Sequence, residues 1–320
     1  MRATIPAQFR GMLFAAGGGV ILSANDLAIK NLSGAYALHQ VILTRALIGM
    51  MVVLAVIVLS GTGFRQLVTH RPRDHLIRVS VVMVSNVTYF LGLAALPLAD
   101  AVATAFVAPL IVTLLSALVL REPVGPRRWA AVGVGMLGVV VMLRPGAGVI
   151  QPAALLVLLS AFCYATSHMM TRRMRDTESA MTLNFFVQCG FVVVSSAMGL
   201  WVGDGHLAGS PDASLAFLLR PWHWPPPSDW PWFLATGLAV GIGGLMMSQA
   251  YRTTEAAVVA PFEYVGMPMA ILWGALIFGT WPDPVAWAGI ALICGAGLYT
   301  LWRETVRKKV DDVAAPSGDL

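Results

Sequence analysis

The chain has 320 residues, of which 58% are hydrophobic and only 12% are charged, and its mean hydropathy is +0.75. A soluble domain carries about 25% charged residues because water must wet its surface. This composition therefore excludes an ordinary soluble protein and predicts one surrounded by lipid. The net charge of +5 does not imply a nucleic-acid partner, because membrane proteins concentrate lysine and arginine at their cytoplasmic ends.

Apolar segments dominate the chain from its beginning to residue 302. A helix needs about 20 apolar residues to cross the hydrocarbon layer, and ten segments of about that length predict an all-α integral membrane protein with ten transmembrane helices. The segments cover residues 11–30, 38–60, 76–97, 99–120, 128–144, 151–171, 180–202, 230–250, 256–279 and 284–302. The tail from residue 303 to 320 is polar, and we expect it to be disordered.

One connection, residues 203–229, is much longer than the others. It alternates Trp and Pro between Arg220 and Trp232. Such residues could form a ligand platform. More commonly, tryptophans anchor a helix at the level of the lipid headgroups while prolines stiffen the approach. The pattern favours an anchor for the eighth helix.

The basic residues indicate the orientation in the membrane. If the N-terminus is inside, 17 of the 21 lysines and arginines fall on the inner side of the membrane. Lys30, Arg144 and Arg220 fall on the outer side, and Arg45 alone lies within a span. Because short cytoplasmic loops carry the excess of basic residues, this distribution predicts that both termini are cytoplasmic.

The chain contains an internal repeat. Residues 116–129 resemble residues 274–287 without a gap, so that Trp129 corresponds to Trp287, an offset of 158 residues (287 − 129). The first copy carries arginines at positions where the second copy has Gly279, Val285 and Ala286. Opposite orientation of the two copies explains this difference through the positive-inside rule. The repeat predicts two inverted sets of five helices, an architecture of many secondary transporters, which bind solute near the midplane between the halves.

Several short motifs resemble the drug/metabolite transporter superfamily with two copies of the EamA-type domain. They are Arg45 in the second span, Leu96–Ala101, Glu122 with Gly125–Trp129, Arg144–Gly146 and Val259–Tyr264. Many relatives end the ninth helix with Gly-Glu, whereas here Thr280 follows Gly279, so any role of that second acid does not transfer.

The resemblance implies the domain organisation and the class of function. It implies a cytoplasmic segment 1–10, a first EamA repeat 11–146, a second repeat 147–302 and a cytoplasmic tail 303–320. It also implies a multi-pass protein of the bacterial cytoplasmic (inner) membrane that moves a small metabolite. Members transport amino acids, S-adenosylmethionine, riboflavin or metallophores, in either direction.

Three ionisable residues within spans are the first candidates for the solute or ion pathway: Asp26, Arg45 and Glu263. Placing a charge at the bilayer centre costs about 2.5–3.5 kcal/mol on insertion scales, so such residues tend to be functional. Asp26 and Arg45 lie at similar depths on consecutive helices and could form an ion pair. Alternatively, Arg45 extends its side chain to the outer surface, or Lys30 pairs with Asp26 four residues away.

Glu263 lies in the ninth span beside Pro261, and Pro268 follows. Proline removes a backbone donor and tends to kink a helix, which frees carbonyl groups for a solute or a neighbouring helix. No basic residue lies near Glu263 in sequence. We expect it to line the pathway and to carry either a proton or a positive group of the solute, together with the adjacent Tyr264 of the motif. The structural alternative is a buried hydrogen bond to another helix.

Polar residues on other spans complete the predicted pathway. His168 could relay protons, although a histidine at a helix end more often faces the headgroups. Ser85, Asn86 and Tyr89 share one face of the third helix, and Asn184 and Gln188 share a face of the seventh. Such faces either hold helices together or line a cavity. The predicted pathway residues are Asp26, Arg45, Asn86, Tyr89, His168, Gln188, Glu263 and Tyr264. Glu122, among arginines at the cytoplasmic mouth, is interpreted as structural.

No catalytic, metal or cofactor motif is apparent in the sequence. Gly133–Gly138 matches GxGxxG, but it lies inside an apolar span without a preceding strand, so its glycines predict close helix packing instead; Gly17–Gly19 are interpreted in the same way. The three cysteines stand apart in apolar segments and are interpreted as small buried hydrophobic residues.

The sequence therefore predicts a carrier, without catalytic residues, metal or cofactor. Its expected partners are a small-molecule metabolite, with a proton as candidate coupling ion, and the lipid bilayer, and it acts as a monomer or a homodimer. A membrane-embedded enzyme or a channel is the alternative, and the absence of a catalytic or filter motif disfavours both.

The predicted orientation can be tested with single cysteines at Arg71, Pro226 and Arg307. In intact cells, an impermeant maleimide should label only position 226, because the 17 inner basic residues place the other two positions in the cytosol. Labelling at 71 with protection at 226 would reverse the assignment.

Overall fold

The computed structural model describes residues 7–69, 71–119, 125–143 and 151–314, and these residues are all-helical, without a β-strand. The α-helices are α1 (Ala7–Leu32), α2 (Leu38–Ser60), α3 (Pro72–Ala95), α4 (Leu98–Ala105), α5 (Ala108–Val119), α6 (Pro126–Leu143), α7 (Pro152–Arg173), α8 (Ala180–Val202), α9 (Ala213–Leu219), α10 (Trp230–Thr253), α11 (Ala256–Val259), α12 (Gly266–Phe278) and α13 (Pro284–Ala314). Short 3₁₀ helices cover Phe64–Leu67 and Ala260–Val265.

The helices are those of a multi-pass membrane protein. Seven described segments are long and apolar enough to cross a bilayer: α1, α2, α3, α4 with α5, α7, α8 and α10. Three shorter apolar helices lie at Trp129–Val141, Phe262–Phe278 and Pro284–Ala296. Each of the ten predicted segments overlaps one of these helices. The observed bounds of α2 and α8 equal the predicted ones.

The structure differs from the prediction at the C-terminal tail and in the long connection. The last helix does not end near residue 302 but continues to Ala314, so the prediction of a disordered tail is wrong up to that residue. The connection 203–229 contains α9, and Trp222 packs so closely on Gly199 of α8 that an added Cβ would lie 2.2 Å from its ring. Glu122 and Arg144–Gly146 lie outside the described residues.

The two halves of the chain interlock instead of standing side by side. We call α1–α6 the first half and α7–α13 the second half. α1 of the first half packs along α10 of the second, and α7 of the second half packs along α3 of the first. Between these pairs, α2 contacts α8, and α6 contacts α13. Each half therefore covers much of the other half's apolar surface.

Glycines permit the closest of these contacts. An added Cβ on Gly18 of α1 would lie 3.0 Å from Met247 Sδ on α10, and one on Gly92 of α3 would lie 2.8 Å from the Ala153 carbonyl oxygen on α7. Small residues let helix backbones approach within a membrane, where packing has to replace the hydrophobic drive. The predicted packing role of glycine is thus confirmed at Gly18.

The contact between α6 and α13 follows the 158-residue offset of the repeat. An added Cβ on Gly135 would lie 3.4 Å from Ala296 Cβ, and one on Gly138 would lie 2.8 Å from Ile293 Cγ1. The offset relates Gly135 to Ile293 and Gly138 to Ala296. Each glycine therefore contacts the counterpart of the other, which is the reciprocity of an interface around a two-fold axis.

The two ends of the helix bundle differ in composition. At the arginine-rich end, the loop between α2 and α3 contacts the corner between α7 and α8, and Arg252 at the end of α10 donates to the Glu178 carbonyl oxygen at 2.8 Å. At the tryptophan-rich end, Trp222 hydrogen-bonds to His39 of α2. Arg78 lies in the second turn of α3 and is buried. The sequence analysis identified Arg45 alone within a span, whereas the helices enclose both arginines.

Replacing Gly138 by valine should destabilise the protein, because the new side chain would meet Ile293 and the Gly289 carbonyl oxygen, 3.0 Å from its Cβ. Overpacking of this kind costs about 1–3 kcal/mol. Gly133, on the same helix, has no atom within 4 Å of an added Cβ, and Gly133→Val is the matched control. The measurement is the melting temperature of each variant in detergent. Equal losses at both positions would contradict the packing role.

Candidate functional site

A cavity of about 240 Å³ lies between the two halves. Its walls are mostly apolar or aromatic, and its polar groups form two clusters. We define the Arg45 cluster as Asn25, Asp26, Arg45, Asn86 and Tyr89, all from the first half and all lining the cavity. We define the Glu263 cluster as Glu263, Tyr164, Tyr251 and His168 from the second half, of which Glu263 and Tyr164 line the cavity.

Arg45 is only 2% exposed, and hydrogen bonds and ring contacts hold its side chain in place. Its Nη2 donates to Asn86 Oδ1 at 2.8 Å and its Nη1 to Asn25 Oδ1 at 3.4 Å. Its Cζ lies 4.9 Å from the centre of the Phe90 ring and 5.0 Å from that of Phe191. Cation–π contacts stabilise a desolvated guanidinium. The Arg45 Nε atom has no hydrogen-bond partner among the described residues, so the five N–H donors of the guanidinium are not all paired within the protein.

Asp26 belongs to the same cluster but does not form a direct ion pair with Arg45. Its Oδ1 accepts from Asn25 Nδ2 at 3.2 Å and its Oδ2 from the Tyr89 hydroxyl at 3.0 Å. No Arg45 nitrogen lies within 4.0 Å of either oxygen, whereas the Asn25 amide contacts both side chains. The possible direct pair is therefore replaced by a bridge through Asn25, which sequence reasoning overlooked.

Lys30 is not a competing partner of Asp26. Its Nζ donates to the carbonyl oxygens of Leu93 and Leu96 at 2.7 and 2.6 Å. These carbonyls lie at the end of α3, where the last turn of a helix has no internal donors. Lys30 thus caps α3 and stabilises the negative end of its dipole.

Glu263 is 8% exposed and lies in the 3₁₀ segment between α11 and α12. Tyr164 of α7 donates to its Oε2 at 2.8 Å, and Tyr251 of α10 donates to its Oε1. The interruption of the ninth span beside Pro261 is confirmed. The carboxylate has hydroxyl donors from two other helices, so the predicted structural alternative, a buried hydrogen bond, also exists.

His168 contacts both tyrosines that donate to Glu263. Its ring stacks on Tyr251 at 3.9 Å and meets the edge of Tyr164 at 4.2 Å. It is buried, and neither ring nitrogen has a hydrogen-bond partner among the described residues. The alternative of a histidine at the protein surface is therefore wrong, but His168, a predicted pathway residue, does not line the cavity itself.

The predicted fourth and ninth spans break at corresponding positions, and the breaks touch. The gap between α4 and α5 lies at Phe106 and Val107, and the offset of 158 relates Phe106 to Tyr264. The Tyr264 hydroxyl donates to the Phe106 carbonyl oxygen at 3.1 Å, and the two rings lie 5.4 Å apart. Tyr264 therefore satisfies a carbonyl that the break leaves free and does not line the cavity.

Gln188 also lies outside the cavity lining. It donates to Asn184 Oδ1 at 3.3 Å, and Asn184 donates to the Gly241 carbonyl oxygen on α10 at 3.3 Å. These amides hold α8 against α10. On α3, by contrast, Ser85 donates to the Ser160 carbonyl oxygen at 3.0 Å and also lines the cavity. The polar face of α3 therefore both packs helices together and lines the cavity, whereas the polar face of α8, the seventh predicted span, serves packing.

Comparison with known proteins now identifies the family. The model of the EamA-like transporter family matches residues 9–144 and 151–302. The chain belongs to the EamA-like transporter family. This confirms the resemblance that the sequence motifs had indicated, with one copy of the EamA domain in each half.

Curated relatives cover most of the chain. It is 31% identical over 251 residues to a riboflavin transporter of Rhizobium johnstonii, which covers 78% of this chain and 77% of the relative. It is 27% identical to a riboflavin transporter of Vibrio cholerae, covering 80% and 81%. An S-adenosylmethionine uptake transporter of Rickettsia prowazekii is 24% identical, covering 89% and 90%. A solved structure with 21% identity has a TM-score of 0.66 and covers 90% of this chain and 97% of its own, which supports the fold alone.

Replacing Asn25 by alanine should destabilise the protein, because it removes an acceptor of Arg45 and a donor to Asp26 in one step. Leaving buried charged groups without such partners costs about 1–3 kcal/mol. Asn31→Ala is the matched control, since Asn31 lies on the same helix and is exposed. Thermal unfolding in detergent measures the difference. If the two variants melt together, the bridge contributes nothing.

Proposed function

We propose that the protein is a secondary transporter that carries a small organic metabolite across the bacterial cytoplasmic membrane by alternating access. The observation that carries this proposal is the central cavity, which is built from both halves and has a charged cluster from each half in its wall. Carriers of this type bind solute near the midplane, and the two halves rock about the site. A rocking motion would change the distance between the Arg45 and Glu263 clusters.

In the proposed topology, ten spans form two inverted repeats of five, with both termini in the cytoplasm. The reciprocal contacts of Gly135 and Gly138 support a two-fold relation between the halves. Arg65, Arg71, Arg175 and Arg252 lie in loops or helix ends that meet at the arginine-rich end. The positive-inside rule places that end in the cytoplasm.

The cavity is small for a metabolite. Sites for small molecules usually enclose about 300–1,000 Å³, whereas this cavity measures about 240 Å³. The solute must therefore widen the site as it binds. Because the lining residues come from both halves, separation of the halves would provide this space, which is the movement that alternating access requires.

Riboflavin is the first candidate solute. The aromatic side chains of Tyr89, Phe90, Phe106 and Tyr164 line the cavity and could pack against a planar ring system. Arg45 lines the cavity, and the N–H donors of its guanidinium are not all paired, so it could donate to a ring carbonyl. A relative with 31% identity is named a riboflavin transporter. The aromatic lining of the cavity and this similarity therefore support the same solute.

S-adenosylmethionine is a second candidate because of the charges in the cavity. Among its described lining residues, two are acids, Asp26 and Glu263, and one is basic, Arg45. This excess of acid favours a solute that carries a positive group, and four Rickettsia proteins of 24–25% identity are named S-adenosylmethionine uptake transporters. Asp26 and Glu263 already accept hydrogen bonds, which is why we place this candidate second.

A role as an enzyme or a channel is less consistent with these observations. The charged groups that face the cavity are paired with amides, phenols and phenyl rings, and none forms a nucleophile–base pair such as an enzyme needs. A channel would require a continuous path, whereas polar contacts connect the halves at both ends of the bundle.

Transport in proteoliposomes tests the proposal. Vesicles loaded with unlabelled riboflavin should take up labelled riboflavin faster than empty vesicles. A carrier whose site returns to the outside with unlabelled solute bound can exchange it for labelled solute, which a channel cannot do. The same exchange with labelled S-adenosylmethionine would select the second candidate. If neither solute shows exchange, or if preloading has no effect on uptake, the proposed function fails for these substrates.

Glu263→Gln distinguishes proton coupling from solute binding in the same assay. If Glu263 carries a coupled proton, the variant should lose uptake driven by a pH gradient and retain exchange, because exchange does not require release of the proton. If it binds the solute, both activities should fall together. Glu255→Gln is the matched control, since Glu255 is exposed at the start of α11. If Glu263→Gln folds and keeps its uptake, its exchange and its pH profile, Glu263 is excluded from the pathway.

A further inference from the structure

Each half of the bundle begins with a corner between two helices, and in each case a loop of the other half holds that corner. The first half begins with the corner 33–37 between α1 and α2, which contacts the loop 203–229 of the second half. The second half begins with the corner 174–179 between α7 and α8, which contacts the loop 61–71 of the first half. The two arrangements correspond to each other in chain order and lie at opposite ends of the bundle.

The contact at the arginine-rich end is built around a buried acid. Glu178 is 4% exposed, and its Oε1 accepts from the Thr69 hydroxyl at 2.6 Å. His75 Nε2 lies 3.3 Å from Glu178 Oε2 without the alignment of a hydrogen bond. Beside them, Ser179 donates to Gln66 Oε1 at 3.1 Å. We call Gln66, Thr69, His75, Glu178 and Ser179 the arginine-end latch.

Arg78 strengthens the same junction from within the bundle. Its Nε donates to Thr171 Oγ1 at 2.9 Å and its Nη1 to the Leu183 carbonyl oxygen at 3.0 Å. One side chain of the first half therefore connects both helices that flank the corner of the second half. A buried arginine is costly unless it is hydrogen-bonded, so separating these helices would leave Arg78 without its partners.

The contact at the tryptophan-rich end is also built around an acid. The buried Tyr36 donates to Asp229 Oδ2 at 2.5 Å, and its ring stacks on His223 at 4.6 Å. Gln40 donates to the His223 carbonyl oxygen at 2.6 Å, and Arg220 donates to the Tyr36 carbonyl oxygen at 3.1 Å. We call Tyr36, Gln40, Arg220, His223 and Asp229 the tryptophan-end latch.

We infer that these two latches are the alternating closures of the central cavity, with Glu178 and Asp229 as their corresponding acceptors. The inference rests on the proposed function, because it assigns the regulation of access to the same cavity. Both latches are formed in this structure, and the cavity lies between the halves that they join. Opening toward one end requires one latch to break while the other remains intact.

The two latches differ in the burial of their charged groups. Glu178 of the arginine-end latch is buried, whereas Asp229 and Arg220 of the tryptophan-end latch are only half-buried. Breaking the arginine-end latch therefore transfers a buried carboxylate to water, which hydrates it. The acid and the arginine of the tryptophan-end latch are already partly in contact with water, so opening of that latch adds less hydration.

Accessibility of a single cysteine in the cavity tests the assignment without any knowledge of the solute. The reporter is Ser160→Cys, in a background where Cys163, Cys189 and Cys294 are alanine, because Ser160 lines the cavity on α7. An impermeant maleimide is applied to inside-out and right-side-out vesicles. Glu178→Ala should raise the labelling rate in inside-out vesicles only, because the proposed topology places the arginine-rich end in the cytoplasm, and Asp229→Ala should raise it in right-side-out vesicles only. The increase should be on the order of tenfold, as expected for losing a hydrogen bond to a charged group.

Matched controls are available at each end of the bundle. Asp74→Ala removes a half-exposed acid next to Arg71 at the arginine-rich end, and Asp204→Ala removes an exposed acid beside His206 in the connection 203–229. Neither should change labelling from either side. If Glu178→Ala or Asp229→Ala does not fold, Thr69→Val and Tyr36→Phe remove the donor from each latch and retain the acid.

The possible outcomes test the latches independently of the proposed function. Unchanged labelling, or increases from both sides in the same variant, would overturn the assignment of the latches. Increases on single but exchanged sides would support the latches and reverse the proposed orientation. Because the assay measures only access, a failure of riboflavin or S-adenosylmethionine transport would overturn the proposed substrates and leave this result intact.

Discussion

The interior of a bilayer has no water, so every buried polar group has to find its partner within the protein. The structure of this chain follows from that constraint. Arg45 is enclosed by Asn25, Asn86 and two phenyl rings, and Glu263 by two phenols. Because each set of partners comes from several helices, the charges can be buried only when those helices are assembled. The polar clusters thereby fix the relative positions of the helices around the cavity.

The interlocking of the halves is the second consequence of the lipid environment. Lipid is as apolar as the helices, so close packing must supply the attraction between them. Gly18 and Gly92 allow the first helix of one half and the third helix of the other to approach almost to backbone contact. On α10, Met246 and Met247 fill the space that Gly17 and Gly18 leave open.

The broken spans join the two halves beside the cavity. The predicted fourth and ninth spans break at Phe106 and Tyr264, which touch each other next to the cavity. A break frees backbone groups, and the Tyr264 hydroxyl satisfies one of them. This contact between the halves borders the cavity, whereas the two proposed latches join the halves at the ends of the bundle.

Much of the fold could be predicted from the sequence because its physical signals are local. Apolar length, which depends on neighbouring residues alone, predicted α2 and α8 to the residue. The 158-residue offset predicted that the fourth and ninth spans correspond, and Pro261 marked the break in the second of them. The intramembrane charges Asp26, Arg45 and Glu263 could be recognised for the same reason, since a charge within an apolar segment is conspicuous in the sequence.

Only the tertiary structure decided which partners these charges have. Asn25 bridges Asp26 and Arg45, Lys30 caps α3 instead of pairing with Asp26, and Tyr251 reaches Glu263 from another helix. The rotational position of each helix about its own axis determines these contacts. If a helix were turned by half a turn, the same residue would face lipid. The sequence by itself determined that the chain spans a membrane, repeats and belongs with transporters. The packing of the interlocked halves decided which polar residues meet at the cavity, because their contacts depend on helices that are far apart in the chain.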